Sequence, residues 1–397
     1  MVSAVLPLVH PHFHALAEGK PYDLIFVDHV NKAMPEHHKL AGLEVKTSNL
    51  CSEITLPTGV DHHGKQRTAV CCLSSLNLET YLEWHEHPTF IEDVMRFLDN
   101  VLQSFIDTAG SDFARATYAA MRERSVGLGV MGFHSFLQLN GIPLESVMAK
   151  VWNKKMFKHI RGQCDDASKT LGRERGPCPD AADFGFEDRF SNKLAIAPTA
   201  SISIICGGAS PGIEPSAANV YNHKTLSGSF VVRNPYLEKL LEQKGHNDED
   251  TWTSVTISQG SVQHLDCLDD HEKAVFKTAF EIDQRWLVEH AADRTPYICQ
   301  SQSLNIFLPA DVHKRDLHQI HMMAWKRGVK SLYYCRSLSI QRAENVAGEA
   351  LTAAPLGDHA LSNPRNDVPS SPGGPVPIGT PTAPAQSTDY EECLSCQ

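Results

Sequence analysis

The sequence predicts an α/β protein with one large folded region followed by a tail of different composition. Strand-like apolar runs alternate along the chain with stretches in which apolar residues recur at helical spacing. Hydrophobic residues make up 42% of the 397 residues and charged residues 21%, which is usual for a soluble globular protein. Beyond about residue 343 this patterning stops, and Pro, Gly, Ser and Ala dominate residues 352–388. We therefore expect a folded domain over residues 1–343 and a flexible tail over residues 344–397.

Composition excludes several classes of function. The net charge is −11, whereas proteins that bind nucleic acids or membrane surfaces through charge need clustered Lys and Arg. No apolar run approaches the roughly 20 residues that cross a bilayer, and the first residues lack the basic start of a signal peptide. The 11 cysteines are irregularly spaced in a long chain, which favours reduced thiols in the cytoplasm over a disulfide scaffold. The histidine clusters lack a convincing tetrahedral partner set, so no metal site is expected.

The predicted elements follow from periodicity and from turn residues. Strands are predicted at residues 22–28, 68–78, 194–197, 297–308 and 328–336, and helices at residues 89–140, 145–172, 268–292 and 311–327. In the first helical region the apolar spacing is carried by Phe90, Val94, Phe97, Leu98 and Val101. The glycine-rich run at residues 124–134 lacks the Gly-Lys-Ser/Thr ending of a phosphate loop, so its glycines are expected to allow close packing.

The segment from Ser48 to Thr58 carries the densest set of chemical groups. If its backbone is extended, Asn49, Cys51, Glu53 and Thr55 share one face, while a mostly apolar face anchors the other side. A thiol, a carboxylate and an amide would then point the same way. Such a trio can react through sulfur, move a proton and orient a hydroxyl group. The alternative is an edge strand with a buried, inert cysteine.

A second candidate site follows the strand at residues 194–197. There the residues Pro198, Thr199, Ala200, Ser201, Ile202 and Ser203 bring hydroxyl groups to the start of a predicted helical turn. Free N–H groups and the helix dipole at such a turn favour a phosphate group. An ordinary capped helix start is the alternative.

Two cysteine pairs and one tyrosine pair complete the candidate set. Cys71 and Cys72 lie in a strand-like run, where core packing is the alternative to a redox role. Tyr333 and Tyr334 are adjacent in a predicted strand, where neighbouring side chains normally face opposite sides and packing is again the alternative. A final Cys-x-x-Cys pair, Cys393 and Cys396, ends the tail. A mobile pair of this kind is either half a metal site or a redox dithiol, and the lack of a second such pair favours redox.

Taken together, these motifs resemble the large, catalytic subunit of class I ribonucleotide reductase from about residue 20 to the end. Residues 49–53 look like the finger-loop motif of that family, and residues 198–203 look like its substrate diphosphate loop. Cys71 falls where the family has one of two active-site redox cysteines. Tyr333 and Tyr334 look like its stacked radical-relay pair, and Cys393 with Cys396 looks like its tail dithiol. The resemblance implies part of a ten-stranded α/β barrel with a central finger loop and a flexible C-terminal tail.

The resemblance also implies roles for these residues. Cys51 would form a thiyl radical, Glu53 would act as general base, and Asn49, with Ser48, would contact the substrate. Residues 198–203 would bind the diphosphate of a ribonucleoside diphosphate. No cofactor is expected on this chain. A metal-containing small subunit would supply the radical through Tyr334 and Tyr333, and a thioredoxin or glutaredoxin would reduce the tail thiols.

One departure from the family pattern concerns the region before the finger motif. Family members have a long N-terminal part there, with early barrel strands, the other redox cysteine and the effector sites. This chain is therefore expected to be the C-terminal portion, which would need an N-terminal complementing polypeptide and would assemble as a homodimer with two small subunits. Neither nucleic acid nor membrane is expected as a partner. Two alternatives are a catalytically silent fragment that acts as an interaction module, and a cobalamin-dependent reductase, which the adjacent tyrosines disfavour.

Overall fold

The computed structural model describes residues 25–225, 228–309 and 311–338, which all fall in one compact unit. Its strands are β1 (Gly59–Val60), β2 (Gln66–Arg67), β3 (Cys72–Asn77), β4 (Val126–Met131), β5 (Val220–Thr225), β6 (Gly228–Arg233), β7 (Ile306–Pro309) and β8 (Cys335–Leu338). The expected domain boundary at residue 343 and the predicted tail lie outside the described residues. No helix in the described ranges combines the length and apolar character needed to cross a bilayer.

Helices are more numerous than strands in the described residues and connect most of them. They are α1 (Val27–Ala33), α2 (Glu36–Leu40), α3 (Tyr81–Trp84), α4 (Phe90–Thr108), α5 (Ala114–Glu123), α6 (Phe133–Leu139), α7 (Val147–Arg175), α8 (Pro179–Ala182), α9 (Ile202–Ile205), α10 (Pro235–Lys244), α11 (Glu249–Ile257), α12 (Asp270–Val275), α13 (Gln284–Arg294) and α14 (Lys314–Lys326). Short 3-10 turns occupy Leu78–Thr80, Ser111–Phe113 and Thr295–Tyr297. The mixture confirms the predicted α/β class.

A parallel array of chain segments forms the centre of the fold. β3 pairs with β4 in parallel, from Cys72 opposite Val126 to Asn77 opposite Met131, and β7 pairs with β8 in parallel. Backbone hydrogen bonds join β4 to residues 192–195, that segment to residues 300–303, and Leu304 to Tyr333. The array therefore runs in sequence order, as parallel strands joined by helical crossovers do.

The array does not close into a barrel within the described residues. On its outer edge β3 pairs with no other described strand, and the remaining sheets are the short antiparallel pairs β1–β2 and β5–β6. The expected count of ten strands stays a prediction. Parallel strands are usually covered on both faces, and the large apolar core accordingly lies where helices α4, α7 and α13 pack against the array.

Several sequence predictions need correction at the level of elements. Residues 126–131, which were predicted as helix, form β4, and the predicted strand at residues 22–28 gives way to α1 from Val27 onward. On α4 the buried stripe is Ile91, Met95, Leu98 and Leu102, whereas Phe97 and Val101 are exposed. The predicted helix at 268–292 is two helices, because Asp283 accepts a hydrogen bond from the Arg285 N–H and begins α13 as its N-cap.

The glycines of residues 124–134 pack closely, as predicted. A Cβ atom on Gly129 would lie 2.5 Å from the carbonyl oxygen of Ala195, and one on Gly127 would lie 3.0 Å from the Sγ atom of Cys71. Real Cβ atoms do not approach backbone oxygens that closely. Glycine at these positions therefore sets the spacing between β4 and its neighbouring segment.

A buried ionic cluster connects the β1–β2 hairpin, which follows the finger motif, to helices α5 and α8. The cluster consists of Asp61, Arg67, Arg122, Asp180 and His38. Arg67 donates to both carboxylate oxygens of Asp180, at 2.5 and 2.9 Å, and to Asp61 at 2.9 Å. Arg122 also donates to Asp180, at 2.8 Å, and the side chains of Arg67, Asp61 and Asp180 are almost completely buried. Because each buried charge has a partner, the desolvation cost is offset and the relative position of the segments is defined.

Candidate active site

The finger motif forms a tight loop and not the extended segment that its alternation predicts. The Asn49 N–H donates to the Ile54 carbonyl at 3.2 Å, and the Ile54 N–H donates to the Asn49 side-chain oxygen at 3.0 Å. Ser52 has a φ of +66°, in the left-handed region. An asparagine side chain that bonds nearby backbone stabilises such turns, and this local bond competes successfully with an extended conformation. Leu50, predicted to anchor the segment, is 64% exposed at the loop tip.

Cys51 is buried in this loop and lies next to a tyrosine from the far end of the chain. The Tyr333 hydroxyl lies 3.3 Å from the Cys51 Sγ atom, within hydrogen-bonding distance. The Ser303 hydroxyl donates to the Cys51 carbonyl at 2.5 Å, which fixes the loop backbone on the parallel array. The sulfur and the phenolic oxygen are therefore close enough for a proton and an electron to pass between them.

Glu53 is a buried carboxyl group in the same pocket. Its Oε2 atom accepts a hydrogen bond from Ser303 at 3.1 Å, and its backbone carbonyl accepts one from the Ser301 N–H at 2.9 Å. Burial raises the pKa of Glu53, while hydrogen bonds from Asn49 and Ser303 partly oppose this rise. A carboxyl group whose pKa is raised holds a proton more readily and is suited to taking and returning one.

Gln300 connects the finger loop to Cys71. It is fully buried, its Oε1 atom accepts from the Thr55 N–H at 3.2 Å, and its Nε2 atom donates to Cys71 Sγ at 3.5 Å. Burial is also the main reason why the pKa of the Cys71 thiol is raised. The Cys71 sulfur is thus held in its neutral thiol form beside the finger loop.

The adjacent tyrosines stack on one another. The ring centroids of Tyr333 and Tyr334 are 4.1 Å apart with an interplanar angle of 35°. This arrangement overturns the expectation that neighbours in a strand face opposite sides, because both residues precede β8 and their backbone is not regular strand there. Tyr333 is buried and Tyr334 is 45% exposed. The pair therefore forms an aromatic path from the surface to Cys51.

The second candidate site is a strained loop that leads into the short helix α9. Thr199 has a φ of +57°, an unusual conformation for a β-branched residue, and its Oγ1 atom accepts a hydrogen bond from the Gly212 N–H at 2.7 Å. Within the described residues, the N–H groups of Ala200, Ser201 and Ile202 donate to no other group. These amides stand ready for an anion, although the Ser203 hydroxyl donates to the Ala200 carbonyl instead.

Comparison with known proteins identifies the family to which these features belong. The sequence profile described as "Ribonucleotide reductase, barrel domain" matches residues 14–188 and 180–335. The chain belongs to the ribonucleotide reductase family. It is 49% identical over 301 residues to the ribonucleoside-diphosphate reductase large subunit of Invertebrate iridescent virus 6, covering 75% of this chain and 31% of that protein.

The chain is also similar to other ribonucleotide reductases. The large subunit of Invertebrate iridescent virus 3 is 45% identical over 340 residues, covering 85% of this chain and 53% of that protein. Among solved structures, the Actinobacillus ureae class Id ribonucleotide reductase alpha subunit matches with a TM-score of 0.74 and 38% identity, covering 84% of this chain and 61% of that chain. The chain thus spans about a third to a half of the length of these two viral relatives.

The structure brings together the finger-loop residues, Cys71 and the tyrosine pair, which are about half of the residues that the sequence singled out. Asn49, Cys51, Glu53, Cys71 and Tyr333 are connected through Ser303 and Gln300, and the Ser48 hydroxyl donates to the Asn49 carbonyl at 3.0 Å. Cys393 and Cys396 lie outside the described residues. Sequence analysis missed Ser303 and Gln300, and only their place in the run Gln300-Ser301-Gln302-Ser303, polar side chains in an apolar strand, could have indicated them.

One histidine cluster has a geometry that sequence analysis did not foresee. His62, His63 and Asp183 place their ligand atoms within 4.8 Å of one another at the surface, in a group that could hold a metal ion. The Asp183 carboxylate is already paired with Arg122, which belongs to the ionic cluster. The prediction that the histidine clusters bind no metal therefore stays a prediction.

Proposed function

We propose that this chain supplies the catalytic residues of a ribonucleoside-diphosphate reductase, which reduces ribonucleoside diphosphates to deoxyribonucleoside diphosphates for DNA synthesis. One observation carries the proposal: the Tyr333 hydroxyl lies 3.3 Å from the Cys51 sulfur, and Tyr334 stacks on Tyr333 towards the surface. A buried cysteine that only packs needs no such aromatic path. A cysteine that is oxidised from outside the domain does.

The reaction follows from the groups in the pocket. Tyr333, oxidised to a tyrosyl radical through Tyr334, takes a hydrogen atom from Cys51, and the resulting thiyl radical takes the 3′ hydrogen of the substrate. Glu53 accepts the 3′ hydroxyl proton while Asn49 orients that hydroxyl group, and the 2′ hydroxyl group leaves as water with a proton from Cys71 or a second thiol. These two thiols supply two electrons in total and the new hydrogen at C2′, and they join as a disulfide while Glu53 returns its proton to the 3′ oxygen. Cys51 finally returns the 3′ hydrogen, and the radical passes back through Tyr333 and Tyr334.

The substrate is held through its diphosphate at residues 198–203. The amide groups of Ala200, Ser201 and Ile202 have no other acceptor among the described residues, and phosphate oxygens would satisfy them. Because Thr199 is locked by Gly212 in a strained conformation, the loop is fixed before substrate arrives. Because the loop is already rigid, substrate binding loses less conformational entropy.

The assembly requires partners outside this chain. A metal-containing small subunit generates the radical and delivers it at Tyr334, whose 45% exposure makes it the accessible end of the pair. A thioredoxin or glutaredoxin reduces Cys393 and Cys396, which in turn reduce the Cys71 disulfide. The complex is a homodimer of this chain with two small subunits, in the cytoplasm, where the eight free thiols of the described residues would stay reduced.

The redox partner of Cys71 and the effector sites are assigned to a complementing N-terminal polypeptide. The outer edge of β3, next to Cys71, supports this assignment, because no strand of the described residues pairs with it and a free strand edge is a template for a further strand. A catalytically silent interaction module is the second candidate. The intact connection from Tyr334 to Cys51 favours the reductase. A cobalamin-dependent reductase would not need that connection.

The test is Cys51→Ser in the complex of this chain, its complement and the small subunit. A serine hydroxyl cannot readily form the required radical, so we expect turnover below a few per cent of wild type. Binding of cytidine diphosphate should stay within about twofold, since the diphosphate contacts lie elsewhere. Cys267→Ser, which changes a thiol outside the site, is the control. Retention of substantial turnover in Cys51→Ser would rule out the assigned role.

A further inference from the structure

A buried hydrogen-bonded bridge connects the substrate loop to the outer tyrosine of the relay. The Asn305 Nδ2 group donates to the Glu214 Oε1 atom, and the Asn305 Oδ1 atom accepts from the Tyr334 N–H at 3.0 Å. Glu214 and Asn305 are both buried, and sequence analysis singled out neither of them. We call this pair the Glu214–Asn305 bridge.

The other end of the bridge reaches the diphosphate loop. Glu214 lies two residues after Gly212, whose N–H donates to the strained Thr199 at 2.7 Å. Space at Gly212 is also limited, because a Cβ atom there would lie 3.1 Å from the Ala197 carbonyl oxygen and 3.3 Å from that of Pro198. A displacement of the loop around Thr199 is therefore transmitted to Glu214 through a short, closely packed piece of backbone.

Charges around Tyr334 complete the arrangement. The Arg336 guanidinium lies 5.8 Å from the centre of the Tyr334 ring. Burial raises the pKa of Glu214 to about 7, and the charge of Arg336 together with the Asn305 hydrogen bond acts against this rise. Glu214, Asn305 and Arg336 thus surround the tyrosine through which the radical would arrive.

We propose that the Glu214–Asn305 bridge couples substrate binding at the diphosphate loop, residues 198–203, to the position of Tyr334. Tyr334 is then correctly placed on Tyr333 only when substrate is bound. This inference rests on the proposed function, because it assigns the loop to substrate and the tyrosines to the radical. Glu214 and Asn305 are positioning residues, since they act on Tyr334 through its backbone. The structural connection itself can be tested without turnover.

The first experiment measures hydrogen exchange of the Tyr334 amide in this chain without ligand. Glu214→Ala leaves Asn305 without its acceptor, so the Tyr334 amide should exchange at least tenfold faster. Glu214→Gln keeps an oxygen acceptor and should exchange within about twofold of wild type. Glu281→Ala removes a carboxylate that bonds Thr278 and Ser261 and serves as the control. If the Tyr334 amide exchanges at the wild-type rate in Glu214→Ala, the bridge does not hold Tyr334 in place and the proposal is wrong.

The second experiment measures gating in the assembled enzyme, with a readily oxidised tyrosine analogue at position 334 that traps the radical. Wild type should show at least fivefold more trapped radical with cytidine diphosphate than without it. In Glu214→Ala the ratio should approach one although nucleotide affinity changes little, whereas Glu214→Gln should keep the response. A full response in Glu214→Ala would overturn the gating role. Absence of any trapped radical in wild type would instead overturn the proposed function, and the exchange result would still decide the bridge.

Discussion

At the scale of single residues, the proposed radical relay depends on the hydroxyl groups of the two tyrosines. Tyr333→Phe and Tyr334→Phe each keep the ring and its stacking but remove the O–H bond that a proton-coupled relay needs. Each variant should therefore lose more than about 95% of turnover, while the melting temperature should change by only a few degrees. The measurement is steady-state reduction of cytidine diphosphate together with thermal unfolding.

Tyr118→Phe is the matched control for these variants. It also removes a tyrosine hydroxyl group, but this one donates to Asp61 of the ionic cluster, at 2.9 Å, and has no part in the relay. It should lose stability, by about 1 kcal/mol, and keep its turnover. Near-normal turnover of both relay variants would mean that the tyrosines only pack.

The residues that the sequence revealed are those whose chemistry is evident from neighbours in the chain. Asn49, Cys51 and Glu53 lie within five positions, so their types alone indicate a site. Ser303 and Gln300 contact that segment from about 250 positions away, and only their place in a polar run within an apolar strand marks them locally. Their function exists only after the array has formed, which is why pattern analysis missed them.

At the scale of elements, the parallel array should not tolerate side chains larger than glycine at the glycine positions of β4. Gly129→Ala places a Cβ atom 2.5 Å from the Ala195 carbonyl oxygen, so the two neighbouring segments must separate. We expect a loss of about 2–4 kcal/mol in the free energy of unfolding, as for other overpacked core positions. Urea-induced unfolding followed by circular dichroism provides the measurement.

Gly162→Ala is the matched control for Gly129→Ala. Gly162 lies in α7, and a Cβ atom there would meet nothing within 4 Å. Alanine in an open helical position should stabilise the chain by up to about 1 kcal/mol. Equal effects of the two substitutions would mean that backbone entropy and not packing decides the cost at Gly129.

Elements with strong local signals were predicted well, and those fixed by tertiary contacts were not. Helices α7 and α14 lie within a few residues of the predicted ranges, because their apolar spacing is regular. β4 was mistaken for helix because glycine is uncommon in strands, so the alternation of Val126, Leu128 and Val130 with two glycines was not recognised as a strand pattern. The finger loop was mistaken for a strand because the Asn49 side chain closes a turn that alternation does not reveal.

At the scale of the whole molecule, the tail predicts a dependence on the reductant. Cys393→Ser combined with Cys396→Ser should block repeated turnover driven by thioredoxin or glutaredoxin. The same variant should keep activity driven by a small dithiol, which can reach the Cys71 disulfide directly. Rates with each reductant are compared in the complex with the N-terminal complement and the small subunit. Equal loss with both reductants would indicate a structural tail, and full activity with both would make it dispensable.

The overall architecture could be predicted only as far as its class. Alternating patterns indicated α/β, and the family resemblance, which the profile match confirms, indicated a barrel domain. The parallel order of the array was not predicted, because it depends on hydrogen bonds between segments such as 192–196 and 300–303, and the pattern within one segment does not indicate which other segment it pairs with.

Burial of the ionic cluster has a practical consequence for experiments in which the ionic strength of the buffer is changed. Mobile ions screen charges at the surface within about 10 Å at 0.1 M ionic strength, but they hardly reach pairs such as Arg67 with Asp180, whose side chains are almost inaccessible. Raising ionic strength should therefore weaken charged contacts in the proposed assembly with other subunits, while the ionic cluster stays intact. Salt concentration thus offers a way to separate that proposed assembly from the integrity of this chain.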